Sequence, residues 1–355
     1  MTDEEAISRV CRAIDPAATE LYVIRRNGRV LLGLSSAETP ALCALGLYQP
    51  QRLSARAMVT GVKWLVRLGL HRRLLVVRVS QEAGRLALPW KANAGSCGVL
   101  LGSPEHRVRR AVASYRIDDD WEVAKVAFGP EGNSILRREA EIMARLKDRV
   151  EEMPGFRGVH EAGGMTFLRM QRVEGTPLRA GESAEALALL EKWESEGPPK
   201  SIEEFSEWPA IEAALRGRAG GDQALAALKG SRLKPVIRHG DFARWNLLRR
   251  PDGRLVVLDW EWGHEAGMPG IDLVHYFLQD ARLVRKLPMV EAVRSVVEVF
   301  RSPECSAYLE RTGWDGRPLL AIIACLAYKQ GAGHQDNSDA LDGALECLMR
   351  SGFPI

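Results

Sequence analysis

The segment His239-Gly240-Asp241-Phe242-Ala243-Arg244-Trp245-Asn246 constrains this chain more than any other. It follows the apolar Pro235-Val236-Ile237. It precedes two short apolar runs, Asn246-Leu247-Leu248 and Leu255-Val256-Val257-Leu258, which flank Pro251-Asp252-Gly253. Apolar runs on either side of a Pro-Asp-Gly turn predict a pair of short strands. The loop therefore places Asp241 and Asn246 five positions apart, and Asp259 at the end of the second strand. An Asp, an Asn and a second Asp in that order are hard oxygen donors and hydrogen-bond acceptors. They suit magnesium and an acceptor hydroxyl held around a phosphate. In that layout Asp241 accepts the hydroxyl proton, and Asn246 and Asp259 hold the metal. His239 braces the loop by packing and backbone hydrogen bonds.

Composition narrows the alternatives. With 46% apolar and 27% charged residues the chain is an ordinary globular one, and its 355 residues allow two domains or one large bilobal one. A formal charge of +3 gives no ground to expect a nucleic-acid partner. The six cysteines stand far apart, with no C-x-x-C pair, which argues against a zinc site or a disulfide framework. Met1-Thr2-Asp3-Glu4-Glu5 is acidic, unlike a signal peptide, and charges interrupt every long apolar run. A soluble, cytoplasmic protein is the expectation.

Residues 1–92 are expected to form a small α/β accessory domain of unknown role. Leu21–Ile24 and Arg29–Leu34 predict strands joined at Asn27-Gly28. A helix is predicted from Ser54 to about Leu70. The basic stretch Arg52–Arg73 is read as a solvated helix face, with contact to anionic lipid or a phosphorylated partner as the alternative. From about 97 three strands are expected, over 98–103, 111–117 and 121–128. A turn at 129–132 leads to a helix over 134–147, and a further strand runs over 164–173. Beyond 180 the periodicity is mostly helical, over 185–196, 208–216, 223–229, 290–301, 319–331 and 339–350. The expected class is α+β, a β-rich lobe over about 93–173 followed by a helical lobe over about 174–355.

His-Gly-Asp-x-x-x-x-Asn, then Leu258-Asp259-Trp260-Glu261, then Pro269-Gly270-Ile271-Asp272-Leu273 resemble the aminoglycoside phosphotransferase and choline kinase family. The resemblance covers roughly residues 97–350 and is sharpest over 237–277. It implies a protein-kinase-like fold with ATP, or GTP, and Mg2+ as cofactors. Gly240, where protein kinases carry Arg, points to the small-molecule branch. The resemblance also implies that Asp272 holds the loop through backbone N–H groups. It makes Lys125, in Val123-Ala124-Lys125-Val126, a phosphate contact paired with a helix glutamate: Glu139, with Glu141 as alternative. Gly102 and Ser103 lie where a phosphate-covering turn belongs. No second glycine follows before Val112, and Arg107 or Arg109 is left to add charge. Backbone groups near Gln171 and Val173 would read the adenine edge. Arg244 would stabilise the transferred phosphate, Trp245 would pack under the loop or line the acceptor pocket, and Glu261 would support the metal ligands from behind or contact the acceptor.

The expected activity is ATP- and magnesium-dependent transfer of the γ-phosphate to a hydroxyl of a small molecule: a sugar, an aminoglycoside-like compound or an amino alcohol. One alternative is a catalytically weak nucleotide-binding scaffold that uses the basic N-terminal stretch to bind a partner. A metal phosphohydrolase would need further grouped ligands, and His264, His275 and His334 do not supply that grouping.

Overall fold

Asn27 and Gly28 take left-handed φ values of 51° and 77°. That geometry suits a tight turn joining strands of right-handed twist. The strands are β1 (Glu20–Arg26) and β2 (Arg29–Leu34), preceded by helix α1 (Asp3–Ile14). The acidic N-terminus is the first turn of α1. Thr2 Oγ1 accepts from the Glu5 N–H at 3.1 Å, and Glu5 Oε2 accepts from the Thr2 N–H at 2.7 Å. This reciprocal cap satisfies two otherwise orphan donors, and the acidic side chains favour the helix N-terminus. The computed structural model describes residues 1–48, 53–79, 88–102, 108–179, 181–194, 197–333 and 338–351. They divide into two units, residues 1–147 with 153–174, and residues 148–152 with 175–355.

The first unit continues with α2 (Glu38–Gly46), α3 (Leu53–Arg67), β3 (Leu75–Arg78), β4 (Gly98–Leu101), β5 (Arg110–Ile117) and β6 (Asp120–Phe128). Helix α4 (Gly129–Leu146) and the hairpin β7 (Phe156–Ala162) and β8 (Met165–Gln171) complete it. Eight strands form one antiparallel sheet in the order β3-β1-β2-β4-β5-β6-β8-β7. Residues 1–92, expected as a domain of their own, supply three strands of this sheet. Leu32 and Gly33 of β2 pair with Leu100 and Val99 of β4, carrying the sheet across the expected boundary. One core joins Ile7 and Val10 of α1 to Val99, Ala113, Tyr115, Val126 and Phe167. A second gathers Tyr22, Leu32, Leu34, Ala44 and Val66 beneath α2 and α3. Gly129–Gly132, expected as a turn, is the first turn of α4. Pro130 sits in that first turn, where its missing N–H costs no hydrogen bond. Strand β7 carries no clear strand signal in its sequence, because Arg157, Gly158 and Glu161 dilute its apolar alternation.

The second unit is mostly helical. Its elements are β9 (Thr176–Pro177), α5 (Ser183–Lys192), β10 (Lys200–Ser201), α6 (Trp208–Leu215), α7 (Gly221–Leu228), β11 (Arg232–Leu233), β12 (Val236–Arg238), β13 (Leu247–Arg249), β14 (Leu255–Val257) and β15 (His264–Gly267). Helices α8 (Ile271–Gln279), α9 (Met289–Phe300), α10 (Pro303–Arg311), α11 (Pro318–Gly331) and α12 (Ser338–Ser351) follow. Helix α11 is buried almost throughout and packs against α6, α7, α8, α9 and α12. Glu152 is tied into this unit by Lys192 at 2.6 Å and by the Trp193 indole at 3.3 Å. Among the described residues no helix is long and apolar enough to cross a membrane.

Candidate active site

Strand β12 delivers the chain into the His239–Asn246 loop, and Asp272 anchors it from the first turn of α8. Asp272 Oδ2 accepts from the His239 N–H at 2.6 Å, and Oδ1 accepts from the Gly240 N–H at 2.7 Å. A carboxylate is favoured at that helix N-terminus, and charge-assisted bonds of this length are strong ones. Gly240 has φ of 86°, and a Cβ there would lie 2.5 Å from Trp262 Cβ and 2.6 Å from its carbonyl oxygen. Only glycine avoids both the strain and the clash. His239 Nε2 lies 2.8 Å from the Leu258 carbonyl, and Nδ1 accepts from the Asp241 N–H at 3.2 Å. Its ring packs edge-on against Trp260, with centroids 4.8 Å apart.

Asp241 is held from two sides. His275 Nε2 approaches Oδ1 at 2.7 Å, and Asn246 Nδ2 donates to Oδ2 at 3.0 Å and to the Asp241 carbonyl at 2.9 Å. Behind His275, Lys329 Nζ lies 2.6 Å from Nδ1 and donates to the Gly240 carbonyl at 3.0 Å. An ammonium only donates, so Nδ1 accepts and the ring proton sits on Nε2, facing Asp241. Burial raises the pKa of the Asp241 carboxyl, but the His275 hydrogen bond and the Lys329 charge outweigh it and hold the group well below the usual carboxylate range. Burial and the neighbouring Lys329 lower the pKa of His275. Burial brings Lys329 down to about 8. His275 and Lys329 were not assigned to the site from sequence. Two signals were present. His275 stands three residues after Asp272, on the same helix face. Lys329 closes the otherwise apolar run Leu319–Tyr328 of a buried helix, where an unpaired lysine is costly.

The strand pair sets Asn246 beside Asp259. Leu247 pairs with Val257, and the Leu258 N–H donates to the Asn246 carbonyl at 2.8 Å. Asp259 takes φ of 71°, a left-handed conformation uncommon outside glycine. Asn246 commits its Nδ2 to Asp241, so its second polar atom is the amide oxygen. An amide oxygen and a carboxylate are hard donors of the kind that would suit magnesium. Among the described residues no group of three or more His, Cys, Asp or Glu could hold a metal by itself. Arg244 and Trp245 lie in the 3-10 turn Arg244–Asn246, and the Arg244 guanidinium pairs with Asp280 at 3.7 Å. Glu261 is half-buried two residues after Asp259.

In the sheet unit Lys125 stands on β6, opposite Val112 of β5 and Leu168 of β8. Its neighbours Ala124 and Val126 point into the core, so Lys125 faces the other way. Lys125 Nζ donates to Glu139 Oε1 of α4, which is 1% exposed, whereas Glu141 is exposed. Gly102 directly follows β4, with its N–H on the Arg110 carbonyl at 2.9 Å. Ser103 and Arg107 lie outside the described residues. Arg109, considered for phosphate, instead pairs with Asp3 at 2.5 Å, because α1 packs on this part of the sheet. The Gln171 N–H is spent on the Gly155 carbonyl at 2.8 Å and the Arg172 N–H on Trp121 at 3.1 Å. Those two donors are closed to an adenine edge, and Val173 is the next residue, past the end of β8.

An antiparallel sheet unit with a strand lysine on a helix glutamate, and a helical unit with the H-G-D-x-x-x-x-N loop and a distal Asp, define the protein-kinase-like fold class. Residues 114–286 match the sequence model of the phosphotransferase enzyme family. That stretch takes in Lys125, Glu139, the loop, Asp259, Asp272 and His275. Among solved structures, the chain is similar to a thermostable mutant of an aminoglycoside phosphotransferase, APH(4)-Ia, in ternary complex with ADP and hygromycin B. That pair is 14% identical over 77% of this chain and 96% of the other, with a TM-score of 0.47. A choline kinase from Streptococcus pneumoniae is 15% identical over 70% and 92%, with a TM-score of 0.41. A choline kinase from Cryptosporidium parvum is 9% identical over 72% and 88%, with a TM-score of 0.43. No curated protein is a significant match to the sequence.

Proposed function

We propose that the protein transfers the γ-phosphate of ATP, with GTP as the alternative donor, to a hydroxyl of a small molecule. The observation that carries this reading is the His239–Asn246 loop, pinned by Asp272 and presenting Asp241 with one oxygen on His275 and the other on Asn246. Held below the usual carboxylate range, Asp241 stays ionised at neutral pH. It is thus always an acceptor for the incoming hydroxyl. It orients that oxygen and takes its proton late, as a loose phosphoryl transfer allows. Asn246 Oδ1 and the Asp259 carboxylate would hold magnesium. There it would supply positive charge to offset that of the phosphates. Lys125, set by Glu139, contacts the nucleotide phosphates, and the backbone at Val173 borders the base. Arg244 offsets charge on the transferred group from its place in the loop, and Glu261 contacts the acceptor.

The acceptor class is a sugar, an aminoglycoside-like compound or an amino alcohol. The test is a mass-spectrometric screen of pooled acceptors with magnesium and ATP. A phosphorylated product that disappears with Asp241→Ala is the expected result. Nucleotide binding with no product from any pool would overturn it in favour of a scaffold. Glu261→Gln is expected to raise acceptor KM alone, and unchanged acceptor and magnesium KM would remove Glu261 from the site.

A further inference from the structure

Helix α3 carries apolar residues on its exposed side as well as on its buried one. Its inner side seats Val59 and Val66, and Val66 lies in the core with Tyr22, Leu32 and Leu34. A solvated surface helix would be polar on the other side. Here Ala57, Gly61, Trp64 and Leu65 are exposed at successive helical spacings, and the stripe runs on to Leu68 just beyond the helix end. Trp64 is 58% exposed and Leu68 66%. Leu70 follows in the next turn, and Val76 of β3, the edge strand of the sheet, pairs with Tyr22 on the same side as α3. Six of the twelve large apolar side chains exposed among the described residues fall between positions 64 and 76, and five remain when Leu75, on the other face of the sheet, is set aside.

Charge is as concentrated as the apolar surface. Residues 53–79 hold Arg56, Lys63, Arg67, Arg72, Arg73 and Arg78 and no Asp or Glu, a net +6 in a chain whose total is +3. All other residues together therefore carry −3. The Arg67 guanidinium lies 5.5 Å from the Trp64 ring centroid, so cation and aromatic share one place.

We infer that the α3–β3 face docks onto an anionic lipid surface. Cations interleaved with Trp and Leu match such an interface, where phosphate headgroups meet the acyl boundary. A second copy is the poorer occupant, because an isologous contact would set this mostly cationic face, in which Glu20 stands opposite Arg78, against itself. A nucleic acid would satisfy the arginines but leave Leu65 and Leu68 in water.

The test is sedimentation of the full chain with vesicles of phosphatidylcholine containing about one third phosphatidylglycerol, beside vesicles of phosphatidylcholine alone. Binding to the anionic vesicles, weakened at about 0.5 M salt, is expected. Arg67→Glu with Arg73→Glu should lower the partition coefficient by about tenfold or more. Trp64→Ser with Leu68→Ser should lower it by a similar factor while leaving the thermal midpoint in place, since both side chains are exposed. Equal binding to neutral vesicles, no binding, or wild-type binding by either double variant would overturn the inference. So would a concentration-dependent dimer on sizing chromatography that Trp64→Ser with Leu68→Ser abolishes.

Discussion

His275 Nε2 lies 2.7 Å from Oδ1 of Asp241, while Lys329 Nζ lies 2.6 Å from the opposite ring nitrogen. The ammonium fixes the imidazole tautomer, and the imidazole fixes the carboxylate. The Asp241 carboxylate thus has a rigid support drawn from two helices, α8 and α11.

His275→Ala removes that support. Loss of a hydrogen bond to a charged group should lower kcat by about 10- to 100-fold, with nucleotide KM little changed. His275→Gln, whose amide can still donate, should recover part of the loss. Steady-state kinetics of the two variants decide the matter. Equal kcat for wild type and His275→Ala would show that Asn246 suffices to hold Asp241.

Lys329 gives the fold a pH signature. Its pKa in the folded protein is about 8, pushed down by burial from 10.5. Below pH 8 both the folded and the unfolded protein carry the proton, and the full burial cost is present. Between about pH 8 and 10.5 the unfolded chain binds more protons, so this residue's contribution to stability rises with pH. Urea unfolding at pH 7.5 and pH 9.5 should show that rise in the wild type and not in Lys329→Met. Parallel pH profiles for the two would contradict the assignment.

Asp272→Ala leaves the buried N–H groups of His239 and Gly240 without acceptors. Each costs about 1–3 kcal/mol when unsatisfied, so a loss of several kcal/mol in unfolding free energy is expected. A loss below about 1 kcal/mol would mean that water replaces the carboxylate. The lost anchor should also disorder the loop, so kcat should fall further than any change in nucleotide affinity explains.

Glu207 and Arg238 form a buried ion pair at 2.8 Å, and Glu207 also accepts from the Met268 N–H at 3.0 Å. Glu207→Ala strands a buried guanidinium and should destabilise the protein by about 3–5 kcal/mol. The companion variant with Arg238→Met should restore much of this, as a denaturant double-mutant cycle would reveal.

Lys125→Ala removes the strand cation and should raise nucleotide KM by about tenfold or more, with acceptor KM unchanged. Glu139→Gln should act in the same direction more weakly, because it frees Lys125 without removing it. Isothermal titration with ADP separates this from a loss of fold. Wild-type affinity in Lys125→Ala would remove the lysine from the nucleotide site.

By itself the sequence determined what depends on neighbours along the chain. The β1–β2 hairpin follows from Asn27-Gly28, whose backbone preference is local. The helices α4, α9 and α12 follow from apolar spacing, and the loop from the Asp241–Asn246 interval and the strands after it. Tertiary structure alone decided what depends on the path between distant segments. His275 stands 34 residues from Asp241, and Lys329 is 54 residues further on. Their meeting depends on α8 and α11 packing together, which no local spacing records. Residues 1–92 show two compatible strands in sequence, but only the pairing of Leu32 with Leu100 makes them part of a larger sheet. A strand's pattern states which face is buried and leaves its edge partner open, because backbone hydrogen bonds are the same for every sequence.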